Sequence, residues 1–334
     1  MSKKTILSGI QPTGAPTLGT LLGAVKNWKA LSAEYECLYT VVDMHSITVR
    51  QDPGELRRRS LDLLAWYIAL GLDPKENILF IQSHVPAHAE LAWILGCFAY
   101  FGELGRMAQF KDKSAKGDAA SVTAGLFTYP VLMAADILAY GAHLVPVGED
   151  QRQHLELTRE VARRVNGLFG DIFPVPDAHI PAVGAKIMGL QNPAAKMSKS
   201  GDNANDCVYV SDTEDEVMRK FKKAVTDSES EIRVAEDKPG VSNLLTIYAL
   251  AAGKSLAEAE RDFAGQGYGR LKEACGAAVA ELFGPYQRER KKLADSPDFL
   301  QSVMADGAAR AAEKAAPFIK RIKSAVGFVD AAHR

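Results

Sequence analysis

Short apolar runs alternate with amphipathic helical patterns up to about residue 185, and this alternation constrains the fold more than any other feature. Residues 37–42 (CLYTVV) and 78–81 (ILFI) are the clearest of these runs, and residues 5–10 (TILSGI) form a short β-prone run before the first turn. Runs that are apolar at nearly every position are typical of strands buried on both faces of a parallel sheet. The order β-α-β-α-β therefore predicts an α/β fold, a doubly wound parallel sheet that binds ligands at the carboxyl ends of its strands.

The boundaries of several helices are signalled locally. Asp52, Pro53 and Glu55 predict a helix start between the second and third strands, because they supply a capping side chain, a first-turn proline and an acidic third position. A helix is also expected over 21–31. Later starts are predicted at Ser211 with Glu214, at Ser255 with Glu258, and at Ser296 before Pro297.

Beyond about residue 205 the helical patterns are no longer separated by clear strand runs. The sequence ends in an alanine-rich stretch, 308–325, that Pro317 is expected to kink or divide. We therefore predict two domains, 1–204 and an all-helical 205–334, with a C-terminal helix that can return to the first domain.

Composition limits the kinds of partner. The 334 residues are 47% hydrophobic, enough for two cores, and the formal net charge is only −1. Nucleic acid would have to be held by local basic patches at 219–223, 288–292 and 320–323, although each is equally compatible with a solvated helix face. Since no apolar run reaches the roughly 18 residues of a membrane span, we expect a cytoplasmic protein without membrane contact.

A protein-bound metal is not expected. The four cysteines are isolated in sequence, without the Cys-x-x-Cys spacing of structural metal sites. His84 and His88 are four residues apart, but Pro86 argues against the shared helical face that a two-histidine site needs.

Two segments have the composition of phosphate-binding loops. A turn containing Gly14 and Gly19 follows the first predicted strand and precedes a helix, so that backbone N–H groups and the helix dipole can face an anion. A cationic segment, Lys-Met-Ser-Lys-Ser, occupies 196–200 and suits a polyphosphate. Taken singly, the first is also compatible with an ordinary strand-to-helix turn and the second with a solvated charge run.

A carboxylate is expected among apolar neighbours near residue 136. With Pro130 predicted to open a helix, Tyr129, Met133 and Asp136 share one side at helical spacing. A carboxylate in such a place needs a hydrogen-bond donor. The donor can be a protein group or the side chain of a substrate, and the local sequence leaves both open.

Together the two loops resemble the signatures of class I aminoacyl-tRNA synthetases. Further blocks at 42–45 (VDMH), 133–136 (MAAD), 145–151 (VPVGEDQ), 184–188 (GAKIM) and 224–228 (AVTDS) resemble bacterial-type tryptophanyl-tRNA synthetases, in chain order over most of the sequence. The resemblance implies a Rossmann-like catalytic domain, a helical anticodon-binding domain and a homodimer. It also implies the substrates ATP with Mg²⁺, L-tryptophan and tRNA(Trp), with no covalent protein nucleophile and no metal held by protein side chains.

The resemblance also implies site residues. It implies catalytic cations at Lys196, Lys199 and Lys113. It implies ATP contacts at Gln11, Thr17, Gly19, Thr20, Gly148, Asp150, Ile187, Met197 and Ser198. It implies a tryptophan pocket, with Asp136 receiving the indole N–H and Tyr129 and Gln151 at the α-ammonium, formed by Leu7, Gly9, His45, Tyr129, Met133, Asp136, Val145, Val147 and Gln151.

Three positions depart from the family pattern. Thr20 stands where Asn or His is usual, Lys186 where many relatives have Arg, and Leu7 where an aromatic ring is common.

Two alternative functions stay open. A tyrosine hydroxyl can also donate to a carboxylate, so Asp136 alone does not separate tryptophan from tyrosine, and a tyrosyl-tRNA synthetase is the nearest alternative. A catalytically silent paralogue that binds tRNA or tryptophan is the other.

Overall fold

The sheet lies at the centre of the molecule. The computed structural model describes residues 3–108, 110, 122–146, 148, 151–179, 187–198 and 203–329. Five parallel strands lie in the spatial order β3-β2-β1-β4-β5. They are β1 (Thr5–Ile10), β2 (Glu36–Val41), β3 (Ile78–Ile81), β4 (Leu144–Pro146) and β5 (Asp177–His179). The strand order reverses between β1 and β4, which is where doubly wound sheets bind ligands, and the predicted α/β class is confirmed.

Helices surround this sheet. Those before β5 are α1 (Leu18–Thr20), α2 (Lys26–Glu34), α3 (Asp43–Ser46), α4 (Pro53–Ala69), α5 (Ala87–Gly96), α6 (Phe101–Leu104), α7 (Ala124–Leu138) and α8 (Arg152–Phe169). A π-helical turn (Leu21–Val25) joins α1 to α2, and a 3₁₀ turn (Gln82–His84) follows β3. After β5 come α9 (Glu214–Lys222), α10 (Pro239–Ala252), α11 (Leu256–Asp262), α12 (Tyr268–Ala294) and α13 (Pro297–Ala325). None of these helices is long and apolar enough to cross a membrane.

Alternation along the strands divides the core between the two faces of the sheet. Successive strand residues point to opposite faces. Ile6 and Leu79 belong to one buried cluster, together with side chains of α2, α4 and the helices α9 to α12. Leu7 and Phe80 belong to the other, with side chains of α5, α7, α8 and α13. Both faces are buried at β2 and β3, which is why these two strands are apolar at most positions.

Three predicted helix starts are correct and two are wrong. The helix α13 begins at Pro297, directly after Ser296. Asp52 accepts a hydrogen bond from the Glu55 N–H, and Ser255 forms a reciprocal capping box with Glu258. The helix α9 is capped by Thr213 with Glu216 rather than by Ser211 with Glu214. The helix α7 begins at Ala124, with Pro130 inside it rather than at its start. The hydroxyl of Thr123 accepts the Leu126 N–H, and this cap sets the boundary in place of the proline.

The last helix, α13, returns to the sheet. A Cβ added at Gly307 would lie 1.8 Å from the Leu79 carbonyl oxygen, so this close approach to β3 requires glycine. Farther along, Arg310 donates to the carbonyl oxygens of Pro74 and Asn77. Pro317 lies within α13, and the helix continues on both sides of it. Of the kink and the division expected at Pro317, the division is therefore not observed.

Candidate active site

The two predicted phosphate loops meet at the carboxyl end of β1. A Cβ built on Gly19 would lie 3.6 Å from the Cβ of Ile187 and 4.0 Å from the Cβ of Met197. The first residue of α1 is also tied to the start of the helical region, because the Leu18 N–H donates to the Val208 carbonyl at 2.8 Å. Segments about 180 residues apart in sequence therefore form one surface at the edge of the sheet.

The first loop is held by its own threonines. The side-chain oxygen of Thr17, a buried residue, accepts the N–H of Thr20 at 3.1 Å and lies 3.1 Å from the Thr20 hydroxyl. Gly14 has φ +116°, a conformation that other residues rarely adopt. Gln11 lies exposed before this turn. The loop geometry follows from the cap at Thr17 and the glycine at 14.

Within 196–198, the part of the second loop that the structure describes, the polar residues are exposed and the apolar residue is buried. Met197 and Ile187 are buried, whereas Lys196 and Ser198 are exposed. The Met197 N–H donates to the Ile187 carbonyl at 3.0 Å. Asn243 of α10 accepts the N–H of Met188 and donates to its carbonyl, at 2.9 and 3.0 Å. Asn243 was not predicted, since nothing in its local sequence indicates a partner 55 residues away.

Asp136 of α7 is buried with 4% solvent exposure and accepts three hydrogen bonds from residues that the structure describes. His45 Nε2 lies 2.7 Å from Oδ2, while Gln82 Nε2 and His88 Nδ1 lie 2.7 and 2.6 Å from Oδ1. Burial alone would raise the pKa of Asp136, but electrostatic attraction to the two histidines and hydrogen bonds from them lower it to about 2. The carboxylate therefore stays ionised in an apolar environment.

These three donors come from the carboxyl ends of neighbouring strands. His45 lies in α3 directly after β2, and Gln82 follows β3. His88 lies in the first turn of α5, and its Nε2 is 2.7 Å from the hydroxyl of Tyr140. The resemblance implied only His45; Gln82, His88 and Tyr140 were missed, although a polar residue directly after an apolar strand was an available signal for Gln82.

Tyr129 and Met133 lie on the same side of α7 as Asp136, as the helical spacing predicted. Both are half-buried, and the Tyr129 hydroxyl lies 2.7 Å from Nε2 of His154 on α8. The rings of Tyr129 and His45 are 6.2 Å apart, centroid to centroid, in an edge arrangement. Burial raises the pKa of Tyr129 to about 12, so its hydroxyl keeps the proton. The ring contact places Tyr129 next to His45, which donates a hydrogen bond to Asp136.

The remaining predicted residues lie around this centre or outside the described part. Leu7 and Val145 are buried in adjoining strands, and Gly9 is exposed at the end of β1. Gln151 directly precedes α8, and its N–H donates to the carbonyl of the exposed Gly148 at 3.0 Å. Four predicted site residues and one departure from the family pattern fall outside the described residues: Lys113, Val147, Asp150, Lys199 and Lys186.

Comparison with known proteins gives the family. The model of the class I tRNA synthetases (W and Y) matches residues 2–284. The chain is 50% identical over 328 residues to a tryptophan–tRNA ligase of Clostridium tetani, covering 98% of this chain and 97% of the relative.

Solved structures agree along the whole length. The tryptophanyl-tRNA synthetase of Mycoplasma pneumoniae has a TM-score of 0.89 at 34% identity, with 98% of each chain covered. That of Campylobacter jejuni, complexed with ADP and tryptophan, has a TM-score of 0.84 at 32% identity, with 97% of this chain and 99% of that chain covered. These full-length matches confirm the resemblance found in the sequence, and this chain belongs to the class I tRNA synthetases (W and Y), among the bacterial-type tryptophanyl-tRNA synthetases.

Proposed function

We propose that this chain activates L-tryptophan with ATP, forming tryptophanyl-adenylate and pyrophosphate, and then esterifies the terminal ribose of tRNA(Trp). The observation that carries this proposal is the contact between the two phosphate loops at the carboxyl edge of β1, in a chain half identical to a tryptophan–tRNA ligase. The ionised Asp136 lies in the same sheet crevice, at the ends of β2 and β3.

In the amino-acid pocket, Asp136 accepts the indole N–H. Its low pKa supports this role, because a donor-only indole nitrogen requires an acceptor that stays unprotonated. Tyr129 and Gln151 bind the α-ammonium, and His45 lies beside the ring. The walls of the slot are formed by Leu7, Gly9, Met133, Val145 and Val147.

At the phosphate loops, the tryptophan carboxylate attacks the α-phosphorus of ATP in line and pyrophosphate leaves. Lys196, Lys199 and Lys113 stabilise the charge that develops on the phosphate oxygens, so positioning and electrostatics supply the rate. The ATP contacts are Gln11, Thr17, Gly19, Thr20, Gly148, Asp150, Ile187, Met197 and Ser198. The exposed position of Lys196 beside the buried Met197 supports a cation that is free to reach phosphate.

Magnesium fits this site as a companion of ATP rather than as a protein-held ion. No group of three His, Cys, Asp or Glu side chains with the spacing of a metal site occurs in the part of the chain that the structure describes. Mg²⁺ commonly binds through substrate phosphates with few protein ligands. When bound, it would neutralise phosphate charge.

The remaining proposals concern tRNA, assembly and location. We assign 1–204 to catalysis and 205–334 to the anticodon, in a cytoplasmic homodimer. Trp93, with 74% solvent exposure on α5, is a candidate for the contact between protomers.

The test is tryptophan-dependent exchange of pyrophosphate into ATP, with tyrosine in parallel and charging of tRNA(Trp) as the second step. We expect exchange with tryptophan only, followed by charging. Exchange with tyrosine would favour the tyrosyl enzyme. Tryptophan binding without exchange would instead identify a silent paralogue and refute the catalytic proposal.

A further inference from the structure

The two oxygens of Asp136 are not equally occupied. Oδ1 accepts from both Gln82 Nε2 and His88 Nδ1, at 2.7 and 2.6 Å. Oδ2 accepts from His45 Nε2 at 2.7 Å, its one hydrogen bond from the residues that the structure describes. A carboxylate oxygen offers about two lone-pair positions. Oδ1 is therefore saturated, and Oδ2 keeps one acceptor position.

We propose that Oδ2 of Asp136 is the atom that receives the indole N–H, and that the His88–Tyr140 pair is a positioning device that fixes this oxygen towards the pocket. The inference rests on the proposed function and assigns a role to two residues that do not touch the substrate. His88 acts through Asp136, and Tyr140 acts through His88.

The direction of the hydrogen bonds follows from the carboxylate. An ionised carboxylate can only accept, so Nδ1 of His88 carries a proton and donates to Oδ1 of Asp136. In a neutral imidazole Nε2 is then an acceptor, and the hydroxyl of Tyr140, a residue with 1% solvent exposure, donates to it. The order Tyr140 to His88 to Asp136 is a chain of donors that ends on the saturated oxygen.

Packing prevents this chain from rearranging. His88 is fully buried, and its ring stacks on Phe80 with centroids 5.9 Å apart and planes at 28°. Phe80 also meets Tyr140 edge-on at 5.6 Å. With Gln82 holding the same oxygen from β3, rotation of the carboxylate would break two hydrogen bonds at once. A fixed acceptor is what selectivity for a ring N–H requires.

A purely structural role for His88 makes a different prediction. If His88 and Tyr140 only compensate a buried charge, their loss lowers stability and the turnover of every substrate alike. If they position Oδ2, their loss acts on substrates that donate an N–H and spares those that do not. The benzothiophene analogue of tryptophan, in which sulfur replaces the ring N–H, separates the two.

The experiment measures kcat/KM for pyrophosphate exchange with tryptophan and with this analogue. We expect the wild-type chain to prefer tryptophan by roughly tenfold to a hundredfold, the value of a hydrogen bond to a charged group. Tyr140→Phe and His88→Leu are expected to reduce this preference by about threefold and about tenfold, mainly through the KM for tryptophan. His88→Asn, which retains an N–H near Nδ1, is expected to recover part of the preference.

Tyr67→Phe is the matched control. Tyr67 is also a buried tyrosine, and its hydroxyl donates to the Thr40 carbonyl at 3.0 Å within the other core cluster. It is expected to lower the melting temperature with no change in preference. If His88→Leu does not fold, Tyr140→Phe decides the question alone.

Two failures are distinguishable. A wild-type chain without tryptophan-dependent exchange would refute the proposed function. A wild-type chain that exchanges normally, with Tyr140→Phe or a folded His88→Leu retaining the wild-type preference, would overturn the positioning role and leave the function intact.

Discussion

The amino-acid pocket and the phosphate loops are organised in opposite ways. Around Asp136, the side chains are buried and already hydrogen-bonded to one another. At the phosphate loops, hydrogen bonds of Met197, Thr17 and Asn243 fix the backbone, whereas Lys196 is exposed to solvent. No ion pair involves Lys196 within the described ranges of the chain.

The difference follows from what each region must recognise. A buried carboxylate without donors is costly, so the pocket has to be satisfied before substrate arrives, and the fixed acceptor then selects among rings. Phosphate is recognised chiefly by charge, which an exposed lysine can supply without prior organisation. Stability should therefore depend on the pocket and the rate on the loop.

The largest expected effect is on rate alone. Lys196→Ala should lower kcat for pyrophosphate exchange by about 10²- to 10³-fold, the usual cost of removing one group that stabilises transition-state charge. Because Lys196 is exposed, the free energy of unfolding should change by less than about 0.5 kcal/mol. Rates of pyrophosphate exchange give kcat, and urea titrations give the free energy of unfolding. Lys75→Ala, which removes an exposed lysine elsewhere, is the control. A variant retaining half the wild-type kcat would contradict the assignment.

Asp136→Asn should affect stability and tryptophan recognition together. Asn offers one acceptor oxygen in place of two and turns a donor group towards one of the three donors around it. We expect kcat/KM for tryptophan to fall about a hundredfold and the free energy of unfolding to fall by roughly 2 kcal/mol. Glu103→Gln breaks another carboxylate pair, with Arg164 at 2.6 Å, and should cost stability without affecting tryptophan recognition. Unaltered recognition in Asp136→Asn would remove the contrast between the two regions.

The same carboxylate predicts a pH dependence of stability. The pKa of Asp136 is lowered from 3.8 to about 2 on folding, so its contribution is complete above the unfolded value and is lost as the pH falls towards 2. The shift corresponds to about 2 kcal/mol, of which roughly half should be lost by pH 3. The measurement is the difference in unfolding free energy between wild type and Asp136→Asn at pH 6 and pH 3. If this difference is as large at pH 3 as at pH 6, the pKa of Asp136 in the folded protein is not lowered.

Local patterns were sufficient for much of the fold. The strands β2 and β3 were predicted from their apolar runs, because both faces of the sheet are buried there, and β1 was predicted from a β-prone run that ends in a turn. Elsewhere, competing local signals led to wrong predictions. Residues 211–216 contain two overlapping capping patterns, and the earlier one is unused because Asp212 forms a turn with the Tyr209 N–H and an ion pair with Lys220.

The composition of the pocket was only partly accessible from the sequence. Asp136 was recognised as a carboxylate in need of donors, since its helical neighbours are apolar. Two of its donors, Gln82 and His88, lie 54 and 48 residues away and reach it only because parallel strands end at one edge. Tertiary placement of this kind leaves no local pattern, which is why a resemblance could imply His45 while His88 and Tyr140 were missed.

The smallest expected effect concerns the helix cap in the first loop. Thr17→Val removes the oxygen that accepts the Thr20 N–H and should lower the free energy of unfolding by about 1 kcal/mol. Thr20→Val keeps that N–H, so its cost should be less than about 0.5 kcal/mol. If the loop is held by its backbone, the KM for ATP should rise more in Thr17→Val than in Thr20→Val, although Thr20 stands at the position where relatives carry a longer polar side chain. Urea titrations and ATP-dependent exchange rates compare the pair. A larger KM effect at Thr20 would mean that its hydroxyl contacts ATP directly, and the loop would then resemble the pocket in depending on fixed side chains.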